Sequence, residues 1–301
     1  VALGRTHISG ALEAGLKGKP DAERPRMMIF LTDGTPTAGE MNPEKILKAL
    51  PKMNQARTRI FVMGVGKDVN THLLDRLALD TEGRSVYVPG TDAIDERVAS
   101  LYDSLSNPLL DGVELTFGKL KVDGVYPKKI PALFKGGEVM VFGRYKGGGK
   151  HEVKLSGSFR GKGKVYSVNV DFPKKAAPED EFVAALWAAR RVGDLLGRIR
   201  LEGQKDEWIQ EVVKLSQTFG ILTEYTRFMV DAGQPMQLEE AQRQATTLIH
   251  RANNFKSGGW AVNQSFNEDG LRNKKVQSLD NNMYVDRRGR RAASKKVKQL
   301  G

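Results

Sequence analysis

Hydroxyl and carboxylate side chains lie at two places in the chain where they could bind a metal ion. Asp33 directly follows the apolar run of residues 27–31, and Thr35 lies just beyond it. Thr6 lies upstream, at the mouth of a helix predicted by the segment 4–12. Hydroxyl and carboxylate oxygens are ligands that Mg²⁺, Mn²⁺ and Ca²⁺ prefer. The residue types therefore predict a divalent-cation site that contains Thr6 and Asp33.

The elements around these residues read as a parallel α/β sheet. The run 27–31 lacks polar alternation, as expected of a strand buried on both faces, and ligands bind at the carboxyl ends of such strands. Strand and helix patterns alternate as in a doubly wound sheet. Helices are predicted at 8–17, 43–54, 70–79 and 92–105, and strands at 27–32, 59–65 and 84–88.

Short apolar strands separated by glycine turns follow from about residue 111 to 172 and predict an antiparallel unit. The glycine-rich segment 146–150 predicts a hairpin that joins residues 138–145 to 151–156. Within residues 166–172, Tyr166, Val168, Val170 and Phe172 alternate with polar residues, which predicts one buried face.

Helical periodicity returns after residue 179. Apolar residues recur at steps of three or four in 179–201 and again from Trp208 to Phe219, with Gly220 as a stop signal. These stripes predict a packed core. Residues 221–230 then read as an extended segment, and residues 237–251 as one more polar helix.

Several ordered motifs resemble one family. The motifs are Gly4-x-Thr6-x-Ile8-x-x-Ala11-Leu12, Leu31-Thr32-Asp33-Gly34-x-Pro36-Thr37-x-Gly39-Glu40, residues 59–69, 73–78, 105–115 and 136–144, Leu186-Trp187-Ala188 and Thr223-Glu224-Tyr225-Thr226. Together they resemble the later two thirds of a von Willebrand factor A domain and the segments after it, of the kind found in inter-alpha-trypsin inhibitor heavy chains and their bacterial relatives. The resemblance covers roughly residues 1–230.

The resemblance implies a metal-ion-dependent adhesion site, in which Thr6 and Asp33 match two family ligands. His7 and Thr35 are further candidates at the same edge. The family site also uses an Asp-x-Ser-x-Ser turn that this sequence lacks, so we expect a C-terminal fragment of a longer protein. In the family, the ion binds an acidic side chain of a protein ligand. The resemblance further implies an exported protein, extracellular or at a cell envelope.

The predicted fold class is α/β, with four consecutive segments. Residues 1–108 would form a partial, doubly wound (Rossmann-like) von Willebrand factor A domain, and residues 109–176 an antiparallel β-rich domain. Residues 177–232 would form a helical segment with a terminal strand, and residues 233–301 a disordered polar basic tail.

Charge is concentrated in that tail. The chain carries a net charge of +12, and residues 251–301 contain 12 Lys and Arg against four Asp and Glu. The basic clusters are Arg287, Arg288, Arg290, Arg291, Lys295 and Lys296. Few apolar residues accompany them, which favours disorder and weak polyanion binding. The chain contains no cysteine, which excludes disulfides, and no apolar run of the length that a membrane span requires.

Enzymatic interpretations fail on particular residues. Asp33-Gly34-Thr35 after a strand is similar to a haloacid-dehalogenase phosphatase, but Leu31 occupies the position of the carboxylate nucleophile. We therefore predict a non-enzymatic, divalent-cation-dependent protein-binding module. The alternative is an intracellular accessory subunit of an ATP-driven complex, as in chelatases, where domains of this kind also occur.

Overall fold

A parallel sheet with helices between its strands forms the first part of the structure. The computed structural model describes residues 4–21, 23, 25–32, 35–66, 68–88, 94–105, 107–175, 177–231, 236–275, 283–285 and 291–293. The first elements are α1 (Ile8–Leu16), β1 (Met27–Thr32), α2 (Pro43–Met53), β2 (Arg59–Val65), α3 (Thr71–Asp80), β3 (Ser85–Val88) and α4 (Ile94–Leu105). The strands lie in the order β1-β2-β3 and pair in parallel, which confirms the predicted α/β class.

Local sequence explains these elements well. The side chain of Asn42 accepts hydrogen bonds from the N–H groups of Glu44 and Lys45 and caps α2, and Pro43 occupies its first turn. Asn70 caps α3 in the same way. Strand β2 is buried along nearly its whole length because it lies between two neighbours and under helices. Within the described residues, β1 pairs only with β2 and so forms an edge of the sheet.

An antiparallel β-rich region follows, as predicted. Its strands are β4 (Pro108–Thr116), β5 (Lys121–Tyr126), β6 (Leu133–Phe134), β7 (Phe142–Lys146), β8 (Gly149–Phe159) and β9 (Lys162–Phe172). They form a four-stranded sheet in the order β6-β4-β8-β9 and a two-stranded ribbon of β5 and β7.

The predicted hairpin around residues 146–150 is wrong. Strand β7 pairs with β5, whereas β8 pairs with β4 and β9, so the glycine segment joins strands of two different sheets. The tight hairpin lies instead between β8 and β9, where Arg160 and Gly161 have φ angles of 49° and 74°. Two consecutive positive φ angles suit a two-residue hairpin turn, because they match the twist of the strands.

The predicted burial of one face of residues 166–172 is only partly correct, because Val170 and Phe172 are half-buried whereas Tyr166 and Val168 are exposed. Tyr166 and Val168 are 59% and 58% exposed, and the neighbouring Val165 is 66% exposed. Strand β9 is the last strand of its sheet and pairs only with β8 among the described residues. The alternation is real, but alternation alone does not supply an element that covers the apolar face.

The helices after the β-rich region agree with the periodicity. A short 3-10 helix (Pro178–Asp180) leads into α5 (Glu181–Glu202), which is followed by α6 (Asp206–Phe219). Their apolar stripes form a core in which Val192, Ile199 and Val212 are almost fully buried. Gly220 ends α6 in the left-handed conformation with a φ angle of 62°.

Residues 221–230 do not form the predicted extended segment. They form a turn and then the short helix α7 (Phe228–Asp231). The Thr226 hydroxyl accepts a hydrogen bond from the Thr223 backbone N–H at 3.0 Å, and the two hydroxyls lie 2.9 Å apart. Such side-chain to backbone bonds stabilise a turn against an extended conformation.

The polar helix predicted at residues 237–251 is confirmed as α8 (Leu238–Asn253), but part of the region predicted to be a disordered tail is ordered. Among its described residues are α9 (Gly259–Arg272) and a small ribbon of β10 (Met283–Val285) and β11 (Arg291–Ala293). Small residues such as Ala241, Ala245 and Ala261 are fully buried against the body. Small apolar side chains allow close helix packing at low mean hydropathy, which is why composition alone gave the wrong prediction.

Across the described ranges, we find no helix with the length and apolar character needed to cross a membrane.

Candidate functional site

Thr6 is tied to the loop that follows β1. The Thr6 backbone N–H donates to the Thr37 hydroxyl at 2.7 Å, and the Thr6 carbonyl oxygen accepts from the N–H groups of Thr37 and Ala38 at 2.9 and 3.2 Å. Three hydrogen bonds therefore fix the segment before α1 against the loop at the carboxyl end of β1. The sequence predicted that these two segments would meet, and in the described structure they do.

The same loop closes over the start of α1 at a glycine. The Ser9 hydroxyl accepts a hydrogen bond from the Glu40 N–H at 3.2 Å. Gly39 has a φ angle of +67°, and a Cβ at this position would lie 1.9 Å from His7 Nε2. Only glycine allows this approach together with this backbone conformation. His7 is exposed, but one side of its ring contacts the loop.

The other predicted site residues have different outcomes. Thr35 is partly buried in the loop between β1 and α2. Asp33 lies outside the described residues, as do Arg287, Arg288, Arg290, Lys295 and Lys296. Arg291 begins β11, but its side chain is not described. The structure thus brings Thr6 and His7 to the loop of Thr35 without giving the position of Asp33.

The described side chains at this edge provide oxygen atoms of the kind that a hard cation binds. These oxygen atoms belong to neutral hydroxyls, including those of Thr6 and Thr35, and Mg²⁺ binds oxygen ligands. The nearby Glu40 carboxylate already accepts from the Asn42 N–H at 2.9 Å and lies 3.7 Å from Lys45 Nζ. In the parts of the chain that are described, no cluster of three or more His, Asp or Glu residues could hold a metal.

A buried ionic cluster was not anticipated from the sequence. The Arg200 guanidinium on α5 donates to Asp75 on α3 at 2.6 Å and to Glu268 on α9 at 2.8 and 3.0 Å. All three side chains are at most 7% exposed. Asp75 also accepts from the hydroxyls of Tyr87 and Ser265 at 2.7 and 2.9 Å. The cluster joins the parallel-sheet region to the helical region.

The pKa values in this cluster follow its charges. Burial alone would lower the pKa of Arg200, but the Glu268 and Asp75 carboxylates outweigh it and raise the pKa above its ordinary value. Burial raises the pKa of Tyr87 well above its ordinary value, and the nearby Asp75 carboxylate adds to this effect. Arg200 therefore stays charged and Tyr87 stays neutral over the physiological pH range.

A second set of hydrogen-bonded residues lies around Glu224. The Asn267 side-chain amide on α9 donates to the Glu224 carboxyl, and the same Asn267 bonds the backbone N–H and carbonyl of Val285 at 2.8 and 3.0 Å. Loss of solvent raises the pKa of Glu224 to about 8, although its hydrogen bonds act in the opposite direction. Asn267 thus joins the turn after α6 to α9 and β10.

We expect Glu224→Gln to stabilise the protein, and more so at pH 8 than at pH 5. Between the ordinary pKa of 4.5 and the folded value of about 8, the folded chain holds a proton that the unfolded chain has released. Stability of the wild type should therefore fall as pH rises through this window. Gln is neutral at every pH, and its carbonyl oxygen can still accept from Asn267. Thermal melts at pH 5, 6.5 and 8 measure the effect.

Glu207→Gln is the matched control, because Glu207 is exposed in the first turn of α6. Its melting temperature should follow the pH dependence of the wild type. Identical profiles for Glu224→Gln and the wild type would contradict the assignment.

The parallel sheet and the edge that contains Thr6 and Thr35 define an α/β domain with a hydroxyl-rich loop at the carboxyl end of a parallel strand. Residues 3–98 match the sequence model of the von Willebrand factor type A domain, so this part of the chain is similar to domains of that family. The resemblance inferred from the motifs is therefore confirmed.

Characterised relatives extend the similarity beyond this domain. The chain is 26% identical over 246 residues to inter-alpha-trypsin inhibitor heavy chain H1 of Bos taurus, covering 75% of this chain and 27% of the relative. It is 25% identical over 249 residues to heavy chain H4 of Homo sapiens, covering 77% and 26%. For heavy chain 4 of Mus musculus, the identity is 29% over 217 residues, covering 68% and 23%. The chain spans about a quarter of the length of these relatives.

Among solved structures, the chain matches von Willebrand factor type A from Catenulispora acidiphila with a TM-score of 0.41 and 11% identity over 75% of this chain and 64% of that one. The ArnB paralog VWA2 from Sulfolobus acidocaldarius gives a TM-score of 0.38 and 18% identity over 80% and 67%.

Proposed function

We propose that this chain is a non-enzymatic protein-interaction module that binds an acidic side chain of a partner protein through a divalent cation. The cation would be Mg²⁺, Mn²⁺ or Ca²⁺, held at the edge that contains Thr6 and Asp33. The match of residues 3–98 to the von Willebrand factor type A domain supports the interaction class. Similarity to inter-alpha-trypsin inhibitor heavy chains supports an exported, extracellular or envelope protein.

One observation carries this proposal: Thr6 is fixed by three hydrogen bonds to the loop after β1. Asp33 lies in that loop by sequence, directly after Thr32 at the end of the strand. By this sequence order, a hydroxyl and a carboxylate from separate segments would come to one edge of the sheet, in the same loop as Thr35. All three bonds use the backbone N–H or carbonyl oxygen of Thr6. The side-chain hydroxyl of Thr6 is not needed to hold the loop and could therefore bind the cation.

Each residue would have a distinct part in binding. Asp33 would provide the negative charge, and Thr6 a neutral oxygen that completes the ligand set. The Glu40 carboxylate accepts a hydrogen bond from the Asn42 N–H at the start of α2, so the charge of the ligand set is assigned to Asp33 and not to Glu40. A bound cation would supply a coordination position that a partner carboxylate can fill. Specificity for an acidic partner would follow from that position.

We expect Mg²⁺ to bind with a dissociation constant of about 1 mM or weaker, since one carboxylate and neutral hydroxyls provide little charge for a hard cation. Isothermal titration calorimetry measures this constant. Asp33→Ala should abolish detectable binding and Thr6→Ala should weaken it. Mn²⁺, used as a paramagnetic probe, should broaden the amide NMR signals of Thr6, His7 and Thr35 before others.

Asp95→Ala is the control, because Asp95 is exposed on α4 and its removal changes the net charge equally. Binding should be unchanged in this variant. Equal Mg²⁺ affinities for Asp33→Ala and Asp95→Ala, or Mn²⁺ broadening centred elsewhere, would contradict the proposed site.

A further inference from the structure

A cavity of about 540 Å³ lies where the β5–β7 ribbon meets helices α5 and α6. This volume is within the range of small-molecule sites, which often occur at the junction of two structural units. Six of its lining side chains matter here: Tyr126, Lys128, Arg144, Trp187, Arg191 and Glu211. The cavity is distant in sequence from Thr6 and Asp33, and nothing in the proposed function uses it.

The aromatic wall of the cavity is fixed in place. The Trp187 indole N–H donates to the Gly124 carbonyl oxygen at 2.8 Å. Gly124 has a φ angle of +57°, and a Cβ there would lie 3.2 Å from the indole ring, so glycine allows the ribbon to approach the ring closely. The ring of Tyr126 meets Trp187 edge to face, with 6.3 Å between centroids. A rigid aromatic wall needs little reorganisation when a ligand binds.

The charged side chains at the base of the cavity are also held by hydrogen bonds. Arg191 makes two hydrogen bonds to the Glu211 carboxylate, at 2.7 and 2.6 Å, and a third to the Tyr126 hydroxyl. Hydrogen bonds to Glu211 are the largest cause of the raised pKa of Arg191, while burial raises the pKa of Tyr126. The Arg191 side chain is only 16% exposed. This pair shapes the site, and a ligand would not displace it.

The cations at the mouth are more exposed to solvent. Arg144 is 61% exposed, makes two hydrogen bonds to the equally exposed Asp123 at 3.0 and 3.1 Å, and has its guanidinium 4.8 Å from the Trp187 ring centroid. Lys128 is 51% exposed, and its ammonium group lies 3.8 Å from Asp194, beyond a good hydrogen bond. The Arg144 guanidinium keeps N–H groups beyond the two that bond Asp123, and the exposed Lys128 ammonium group makes no close hydrogen bond to Asp194, so an incoming anion can accept hydrogen bonds from both cations.

We infer that this cavity binds a small organic anion with a planar apolar body, a carboxylate or a phosphate ester, whose charged group meets Arg144 and Lys128 while its body lies against Trp187. The guanidinium fork matches both carboxylate and phosphate oxygens. The Trp187 wall favours a flat, apolar body over inorganic ions.

The probes for a test are benzoate, phenyl phosphate and neutral benzamide, titrated into the full chain by saturation-transfer NMR. Both anions should bind at least about fivefold more tightly than benzamide, because a charge-assisted hydrogen bond has this order of effect. A preference for benzoate would assign a carboxylate as the natural group, and a preference for phenyl phosphate would assign a phosphate. Either preference supports the site.

Arg144→Gln should weaken anion binding about fivefold or more, and Lys128→Gln should weaken it in the same direction. Arg84→Gln is the matched control, since the Arg84 side chain is also 61% exposed and also forms an exposed ion pair, with Asp269. It should change anion affinity less than twofold. Equal losses for Arg144→Gln and Arg84→Gln, benzamide binding as tight as benzoate, or no binding of any probe would overturn the inference.

Discussion

Arg200→Met should lower the free energy of unfolding by about 3 to 5 kcal/mol, because it leaves two buried carboxylates without a counter-charge. Asp75 and Glu268 are 7% and 4% exposed and both accept hydrogen bonds from this guanidinium. Met fills a similar volume, so loss of charge is the main change. Urea denaturation followed by circular dichroism measures the loss.

Two further variants isolate the cause. Arg76→Met removes an exposed i,i+4 pair with Asp80 from α3 and should cost no more than about 1 kcal/mol. Adding Asp75→Asn and Glu268→Gln to Arg200→Met should restore part of the lost stability, because neutral amides are less costly to bury than unpaired carboxylates. A loss for Arg200→Met no larger than that for Arg76→Met would contradict the assignment.

The same cluster bears on how the two regions are held together. Asp75 lies on α3 of the parallel-sheet region, whereas Arg200 and Glu268 lie on helices far along the chain. Val262 of α9 also packs into the core around α1 and α3. Apolar and ionic contacts therefore attach the helical region to the domain at the same place. We expect Arg200→Met to weaken this attachment as well as overall stability.

Local signals made the parallel-sheet region predictable. The observed limits of β2 are those that its apolar run predicts, and α2 begins where Asn42 and Pro43 predict a capped helix. Periodicity and capping act over a few residues, so the sequence alone can reveal them. The same holds for α5 and α6, whose apolar stripes coincide with the buried residues of the helical core.

Strand pairing was not predictable in the same way. The glycine segment before β8 contains good turn residues, but turn residues do not determine which strands pair. Strands β5 and β7 both contact α5, where the Trp187 indole N–H donates to the carbonyl oxygen of Gly124, 63 residues earlier in the sequence. Tertiary context decides such pairings, as it decides the ordering of α9 by buried small residues.

The candidate sites also differ in whether local sequence signals could predict them. Thr6 and the loop after β1 could be placed together because both lie at ends of adjacent elements of a regular fold. The cluster of Asp75, Arg200 and Glu268 gave no local signal, since its members are 125 and 68 residues apart and each could equally be a solvated surface charge. Only the packing of three helices identifies them as partners.

Gly83→Ala should lower the free energy of unfolding by about 3 kcal/mol, near the upper end of the usual cost of overpacking. Gly83 follows α3, where its N–H donates to the Ala78 carbonyl oxygen at 2.8 Å. A Cβ at this position would lie 1.9 Å from the backbone carbonyl oxygen of Ile60 in the buried strand β2. Backbone cannot move aside as a flexible side chain can, so either the end of α3 or β2 must shift.

The neighbouring contacts make this shift costly. The Thr81 hydroxyl accepts from the Ile60 N–H at 3.0 Å and donates to the Leu77 carbonyl oxygen at 2.7 Å, so the strand and the helix end are already joined there. Displacing Gly83 would lengthen these buried bonds as well. Gly163→Ala is the control, because its Cβ would meet no atom within 4 Å. It should change stability by less than about 0.5 kcal/mol in urea denaturation. Equal stabilities of the two variants would show that the close approach at Ile60 does not constrain the fold, since Gly83 lacks a positive φ angle that could disfavour alanine by itself.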